Sequence, residues 1–252
     1  MERQTTRAVY DLLKRWLDVI GATTGLIISA PILVSAALLI KLDGGPVLFV
    51  QTRLGRNGKP FGMLKFRTMV PGAHRMESHV RREHVTNGGY GVPGEYSDPR
   101  ITKVGSVLRL LNVDELPQLV NVLKGEMSLI GPRPVPYDES LLFGSRREEI
   151  LSVRPGLTGY WQVKRRMSMD YDQRVELDSY YVRKRSLLLD AYVLLATPIS
   201  MLTSDYNSVT KPLPPPTDSI LISNRAVIAS ETTSGVGHET SLIESKPEDA
   251  RH

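Results

Sequence analysis

Two adjacent carboxylates, Asp114 and Glu115, stand at the head of an amphipathic run. An ionised aspartate can attack phosphorus and form a transient ester. Its neighbour could hold a divalent cation, because hard oxygen ligands suit Mg2+. Adjacent side chains on a helix diverge by about 100°, so the two would have separate tasks. A helix N-terminus would also offer free N–H groups to a phosphate. The same residue types serve equally well as ordinary first-turn caps. Candidate phosphate clamps surround them in sequence. Lys65 and Arg67 lie in Lys65-Phe66-Arg67-Thr68, Arg100 and Arg109 flank a helical stretch, and Arg133 lies in Gly131-Pro132-Arg133-Pro134. Arginine makes forked bonds to phosphate oxygens. Each of these cations also reads as a surface charge. Arg133 stands out because two prolines stiffen its turn and fix one guanidinium in place.

Other clusters carry less. His74, His79 and His84 recur at intervals of five, whereas a metal-binding helix face favours intervals of four. They read as solvated loop histidines. The stretch Arg154 to Gln162 is punctuated by glycine and carries Tyr160 and Trp161. It reads either as a platform for a base or sugar, or as a loop packed on the body. The 252 residues include no cysteine, which excludes disulfides, thiol catalysis and zinc–thiolate sites. There is no P-loop and no Gly-x-Ser-x-Gly elbow.

The elements that must position these groups can be read in order. Residues 1–18 are polar and helix-compatible. Val19 to Ile40 then carries no charged side chain, about the length of a bilayer-spanning helix. Ser29 and Pro31 mark an expected break or kink in it, with Ser29 able to bond a freed carbonyl. Basic residues flank both ends: Arg7, Lys14 and Arg15 before, then Lys41, Arg53, Arg56 and Lys59 after. Positive charge favours the cytoplasmic side, so a helix that enters and returns keeps both flanks inside. A kinked span is the competing reading. Val47 to Thr52 and Phe61 to Phe66 read as strands joined by the turn signal Arg56-Asn57-Gly58-Lys59. Residues 71–99 read as a long loop. Ile101 to Gly125 reads as helix in two pieces, the second capped by Asp114, buried along Leu116, Leu119, Val120 and Leu123, and stopped at Gly125. Tyr171 to Arg185 predicts another helix. Leu187 to Leu202, interrupted by Asp190 and Pro198, suits an interfacial helix.

Charge is uneven along the chain. Residues 1–204 hold 28 basic and 20 acidic side chains, and residues 205–252 hold four and seven. A basic body suits anionic partners: phosphates, anionic lipid or nucleic acid. The tail, rich in Pro, Ser and Thr, reads as disordered.

These stretches, in this order, resemble the bacterial sugar transferase family of polyprenyl-phosphate hexose-1-phosphate transferases, the monotopic phosphoglycosyl transferases. The resemblance runs from about Lys14 to Leu202. It rests on Lys14-Arg15-Trp16-Leu17-Asp18, Gly45-Pro46-Val47-Leu48-Phe49, Arg53-Leu54-Gly55, Lys65-Phe66-Arg67-Thr68-Met69 and Asp98-Pro99-Arg100-Ile101-Thr102. It continues through Asp114-Glu115-Leu116-Pro117-Gln118, Asn121 to Ser128, Gly131-Pro132-Arg133-Pro134, Arg154 to Gly159 and Trp161-Gln162. After Trp161-Gln162 the family often has Gly-Arg; this chain has Val163-Lys164-Arg165-Arg166. It resembles the minimal catalytic form with an added acidic tail.

The resemblance implies an α+β fold: a small, mainly helical catalytic domain with a β-hairpin, an N-terminal re-entrant membrane helix and interfacial amphipathic helices. The expected organisation is an anchor over 1–43, a catalytic domain over 44–204 and a disordered acidic tail over 205–252. It further implies transfer of a hexose-1-phosphate from a UDP-sugar to undecaprenyl phosphate, with release of UMP. Asp114 would be the nucleophile, Glu115 would hold Mg2+, and Lys65, Arg67, Arg109 and Arg133 would contact substrate phosphates. The body would lie on the cytoplasmic face of the inner membrane, against lipid, and a homo-oligomer is compatible with this. Two readings compete. A basic, membrane-docked scaffold explains the charge and the anchor but leaves Asp114-Glu115 idle. A nucleic-acid binder ranks last, because no basic helix with base-reading residues is present.

Overall fold

The computed structural model describes residues 2–73, 100–164 and 171–202. The expected loop histidines, the Asp98-Pro99 pair, Arg165, Arg166 and the acidic tail lie outside the described residues.

The chain opens with α1, Glu2–Leu42, which is followed by the hairpin β1, Leu48–Leu54, and β2, Pro60–Phe66. Next come α2, Lys103–Leu110, α3, Gln118–Lys124, and the short strand β3, Ser128–Ile130. The short helices α4, Tyr137–Leu141, and α5, Arg147–Leu151, lead to β4, Gly156–Thr158. The chain then forms α6, Tyr160–Lys164, α7, Tyr171–Lys184, and α8, Leu187–Leu202. The fold is α+β, mainly helical, with two small sheets. β1 and β2 pair antiparallel from Leu48 opposite Phe66 to Leu54 opposite Pro60. Asn57 takes a left-handed conformation (φ 59°) in the turn between them, as the Asn57-Gly58 signal requires. β3 and β4 pair in parallel, Ser128 with Gly156 and Ile130 with Thr158.

Helix α1 has two apolar faces of different grain. Asp18, Ala22, Ser29, Ala36 and Ile40 recur at helical spacing and are buried. Small residues let the backbone approach closely: a side chain at Gly21 would meet Leu129, and one at Gly25 would meet Leu119. Ala22 joins a core with Met63, Leu119, Val122 and Met127, and Ala36 and Ile40 join another with Phe66 and Leu108. The opposite face exposes Ile20, Ile27, Ile28, Ile32, Val34 and Leu38. A contiguous exposed apolar face of this kind marks a membrane or partner surface.

The expected break at Ser29 and Pro31 is not a gap in the helix, because α1 stays helical from Glu2 to Leu42 with Pro31 inside it. The turns on both sides of Pro31 pack against the body, through Ala22 before it and Ala36 and Ile40 after it. Ser29 Oγ donates to the Gly25 carbonyl at 2.6 Å. Proline instead leaves the Ile27 carbonyl without its amide donor, so Ser29 does not serve the carbonyl that Pro31 frees.

A buried carboxylate pins the start of α1 to the last two helices. Asp190 accepts from Tyr10 Oη at 2.9 Å, Tyr181 Oη at 2.7 Å and Lys14 Nζ at 3.1 Å. Asp190 therefore does not interrupt α8. It faces inward, while Leu188, Leu195 and Ile199 face out on the same helix. That division fits the expected interfacial helix.

Candidate active site

Asp114 is not the N-cap of α3. It sits in a 3-10 turn, Val113–Glu115, one turn ahead, and Pro117 occupies the cap position. Asn112 enters this turn in the left-handed conformation (φ 55°), which asparagine tolerates better than most residues. The seven residues of α3 are followed by Gly125 at φ 81°, the expected stop. With the carboxylates set back from a short helix, positive charge at the site comes from side chains rather than from free helix amides.

Those side chains converge from separate elements. Lys65 on β2 donates to Glu115 Oε1 at 2.8 Å. Arg109 at the end of α2 donates from Nε to Thr68 Oγ1 at 2.8 Å, and its charge bears on Asp114. Helix α2 is itself locked to that strand end. Thr102 caps it by accepting from the Gly105 amide at 2.8 Å, and the Thr102 amide donates to the Thr68 carbonyl at 3.0 Å. A Cβ at Gly105 would come within 2.1 Å of that carbonyl oxygen, so only glycine permits the approach. Arg133 follows β3 in a turn held by Gly131 N to Thr158 O (2.9 Å) and Gly156 N to Pro132 O (2.8 Å). Its guanidinium lies 5.9 Å from the centroid of Trp161, and its charge bears on Glu115.

Arg67 goes elsewhere. It is buried, and Nη2 donates to the Ile40 carbonyl at 3.0 Å, capping the end of α1. Its Nη1 is packed where a side chain at Gly45 would have to be. Lys65, Arg109 and Arg133 therefore share the field of the carboxylates, and Arg67 braces the anchor. Trp161 is buried at 2% exposure beneath Arg133 and Arg174, so the Arg154–Gln162 stretch is packed core at that ring rather than an open platform.

The two carboxyls differ in proton affinity. Burial, and then the adjacent Glu115, push Asp114 above the usual range, against the pull of Lys65 and Arg109. Burial also acts upward on Glu115, but the Lys65 ammonium, its hydrogen bond and Arg133 outweigh it and hold Glu115 below the usual range. Glu115 is thus the fixed anion and Asp114 the proton-sensitive one.

Sequence reasoning missed Asn121. It is fully buried on α3, accepts from the Leu64 amide at 2.9 Å and donates to the Gly62 carbonyl at 2.8 Å and to Glu126 Oε2 at 2.7 Å. It ties α3 to the strand that carries Lys65. A polar residue on the inward side of an apolar helix was the available signal. The core of α3 correspondingly includes Val122 and Gln118 with Leu119, whereas Leu116, Val120 and Leu123 are only partly buried.

Immediately before the carboxylates, Val107, Leu110 and Leu111 stand exposed, Leu110 at 68%. The site is a charged cluster beside an apolar rim. The family description "Bacterial sugar transferase" matches residues 9–204. The chain belongs to the bacterial sugar transferase family. It is 41% identical over 196 residues to an uncharacterized sugar transferase of Haemophilus influenzae, covering 77% of this chain and 42% of that protein. It is 40% identical over 207 residues to the exopolysaccharide production protein ExoY of Sinorhizobium fredii, covering 78% and 88%. It is 41% identical over 208 residues to a UDP-glucose:undecaprenyl-phosphate glucose-1-phosphate transferase of Caulobacter vibrioides, covering 79% and 73%. The sugar transferase match spans the hairpin, both carboxylates and the arginine turn, so the site described above lies wholly within the family region.

Proposed function

We propose that this sugar transferase moves a hexose-1-phosphate from a UDP-sugar to undecaprenyl phosphate through a phosphosugar on Asp114. A carboxylate Oδ of Asp114 attacks the phosphorus that bears the sugar, and the bond from that phosphorus to the UMP oxygen breaks. The acceptor's phosphate oxygen then attacks the same phosphorus and expels Asp114, giving undecaprenyl-diphosphate-sugar. Two anionic substrates repel one another, and a covalent relay removes the need to hold both at once. The observation that carries this reading is one buried aspartate in the field of Lys65 and Arg109, beside a glutamate held by Lys65 and Arg133 and next to an apolar rim. The Caulobacter relative is named for this reaction class.

Glu115, with Asp114 beside it, fits the hold on a divalent cation. Both offer hard oxygens, and their mutual repulsion is what a cation would relieve. No third carboxylate or histidine joins them among the described residues. A Mg2+ ion held there would neutralise charge on the transferring group. The chain's own side chains have distinct tasks. Lys65 holds Glu115 ionised, Arg109 draws charge toward Asp114, and Arg133 offers a forked donor to phosphate.

Helix α1 would be re-entrant in the membrane, with the body on the cytoplasmic face. Lys14 and Arg15 before Pro31, and Lys41 after it, belong to a helix packed on one body along both halves. Two measurements test the scheme. With UDP-sugar and Mg2+ but no lipid acceptor, the enzyme should release about one UMP per active site and stop, as expected for a covalent intermediate. Absence of that burst with UDP-glucose, UDP-galactose and their N-acetylated counterparts would defeat the relay. Because the chain has no cysteine, single cysteines at Arg7 and Asp43 report topology cleanly. Both should label from the cytoplasmic side; labelling from opposite sides would establish a span instead.

A further inference from the structure

A second gathering of cations lies at the other end of α3 from the carboxylates. A shallow recess, open to solvent, forms where the start of α1 meets the body. Lys14, Arg15, Arg56, Arg154 and Arg185 line it. Three carboxylates face them. Asp18 is occupied by Ser128 Oγ at 3.0 Å and the Leu129 amide at 2.9 Å, and Asp190 is paired with Lys14 at 3.1 Å. Asp11 lies 3.9 Å from both Arg56 and Arg185, beyond hydrogen-bond reach of either. Five cations against three anions leave two positive charges.

The guanidiniums are held mainly by backbone carbonyls, with the one carboxylate of Asp11 shared between Arg56 and Arg185. Arg15 donates from both terminal nitrogens to the Val122 and Leu123 carbonyls, at 2.6 and 2.8 Å. Arg154 Nε donates to the Gly125 carbonyl at 2.7 Å, and Arg56 Nε to the Ser152 carbonyl at 3.1 Å. Arg185 donates from Nη1 to the Val182 carbonyl at 3.0 Å, while its Nε is buried with no hydrogen-bond partner. Arginines fixed by backbone carbonyls lose little entropy when a ligand arrives. Burial, and then the charges of Arg15 and Arg56, push the Arg154 proton affinity down. An anion would relieve that repulsion.

We infer that this recess is a phosphate-binding site, separate from the transfer site, in which Arg56, Arg154 and Arg185 grip the anionic oxygens of a tetrahedral phosphate group. A lipid headgroup or a phosphate-bearing solute presents the same chemistry. The exposed Leu12 and Trp16, on the same stretch of α1, favour the lipid.

The test uses the full chain in uncharged detergent, followed by thermal melting against inorganic phosphate. It also uses flotation with phosphatidylcholine vesicles, with and without phosphatidylglycerol. A saturable rise in Tm with phosphate identifies a solute site. Flotation selective for phosphatidylglycerol, without that rise, identifies a headgroup site. In either case the double variant Arg56→Gln, Arg185→Gln should weaken the response roughly tenfold, as loss of charge-assisted bonds predicts. Asp11→Asn leaves every arginine in place and should tighten binding several-fold, which guards against misfolding of the arginine variants. No response to either probe, or wild-type affinity in the Asp11→Asn protein, would overturn the assignment.

Discussion

Asp114→Asn should abolish sugar-phosphate transfer, lowering kcat by roughly 10^4-fold or more, because the amide cannot form the ester on which both half-reactions depend. The UMP burst should vanish with turnover. The same change should leave the protein at least as stable. Asp114 titrates above the usual carboxylate range, so its ionised form is disfavoured in the folded state. A raised folded pKa contributes stability at low pH that is lost as pH rises through it. At neutral pH the charge is therefore a burden, and the neutral amide lifts it. The expected pairing is a dead enzyme with an unchanged or higher Tm. A variant that kept the burst would place the phosphosugar on another residue.

Lys65→Gln should cost about 10^2-fold in kcat, the usual scale for one electrostatic contact that acts in the transition state. Its distinguishing signature is in pH. Lys65 pulls Asp114 downward and holds Glu115 ionised through the 2.8 Å contact. Without it, Asp114 should require a higher pH to ionise. The acid limb of the kcat profile should then move to higher pH, because activity needs the deprotonated carboxylate. Arg109 and Arg133 remain in the variant, so the limb should shift rather than disappear. A lower rate with an unmoved limb would mean that Lys65 only holds the strand in place.

Much of this architecture was readable in the residues. Asn57-Gly58 between two alternating runs gave the hairpin, because the turn needs positive φ where asparagine and glycine tolerate it. Gly125 marked the end of α3 for the same reason. The helical expectation for Tyr171 to Arg185 matches α7, which ends at Lys184, and Leu187 to Leu202 is helix throughout. The carboxylate pair was visible as composition, but its setting was not. A 3-10 turn entered through Asn112 has no periodic pattern to betray it, and a cap one turn downstream looks identical in sequence. The parallel pair β3 and β4 was invisible because three residues carry too little alternation, and the partner lies some 28 positions away. Arg67 and Arg109 are chemically alike, yet one braces α1 and the other faces Asp114; only long-range packing separates them. Ser29 and Pro31 announced a break or kink, and α1 keeps its helical assignment through both.

The two-sided grain of α1 means that the anchor cannot be cut away to yield a soluble catalyst. The helix serves two masters: Ile27, Ile28, Ile32 and Leu38 face outward, while Ala22, Ala36 and Ile40 complete the interior of the body. A shortened chain beginning at the hairpin would expose Met63, Leu119, Phe66 and Leu108 to water. The outward-facing helix and the interior it completes are thus parts of one folding unit.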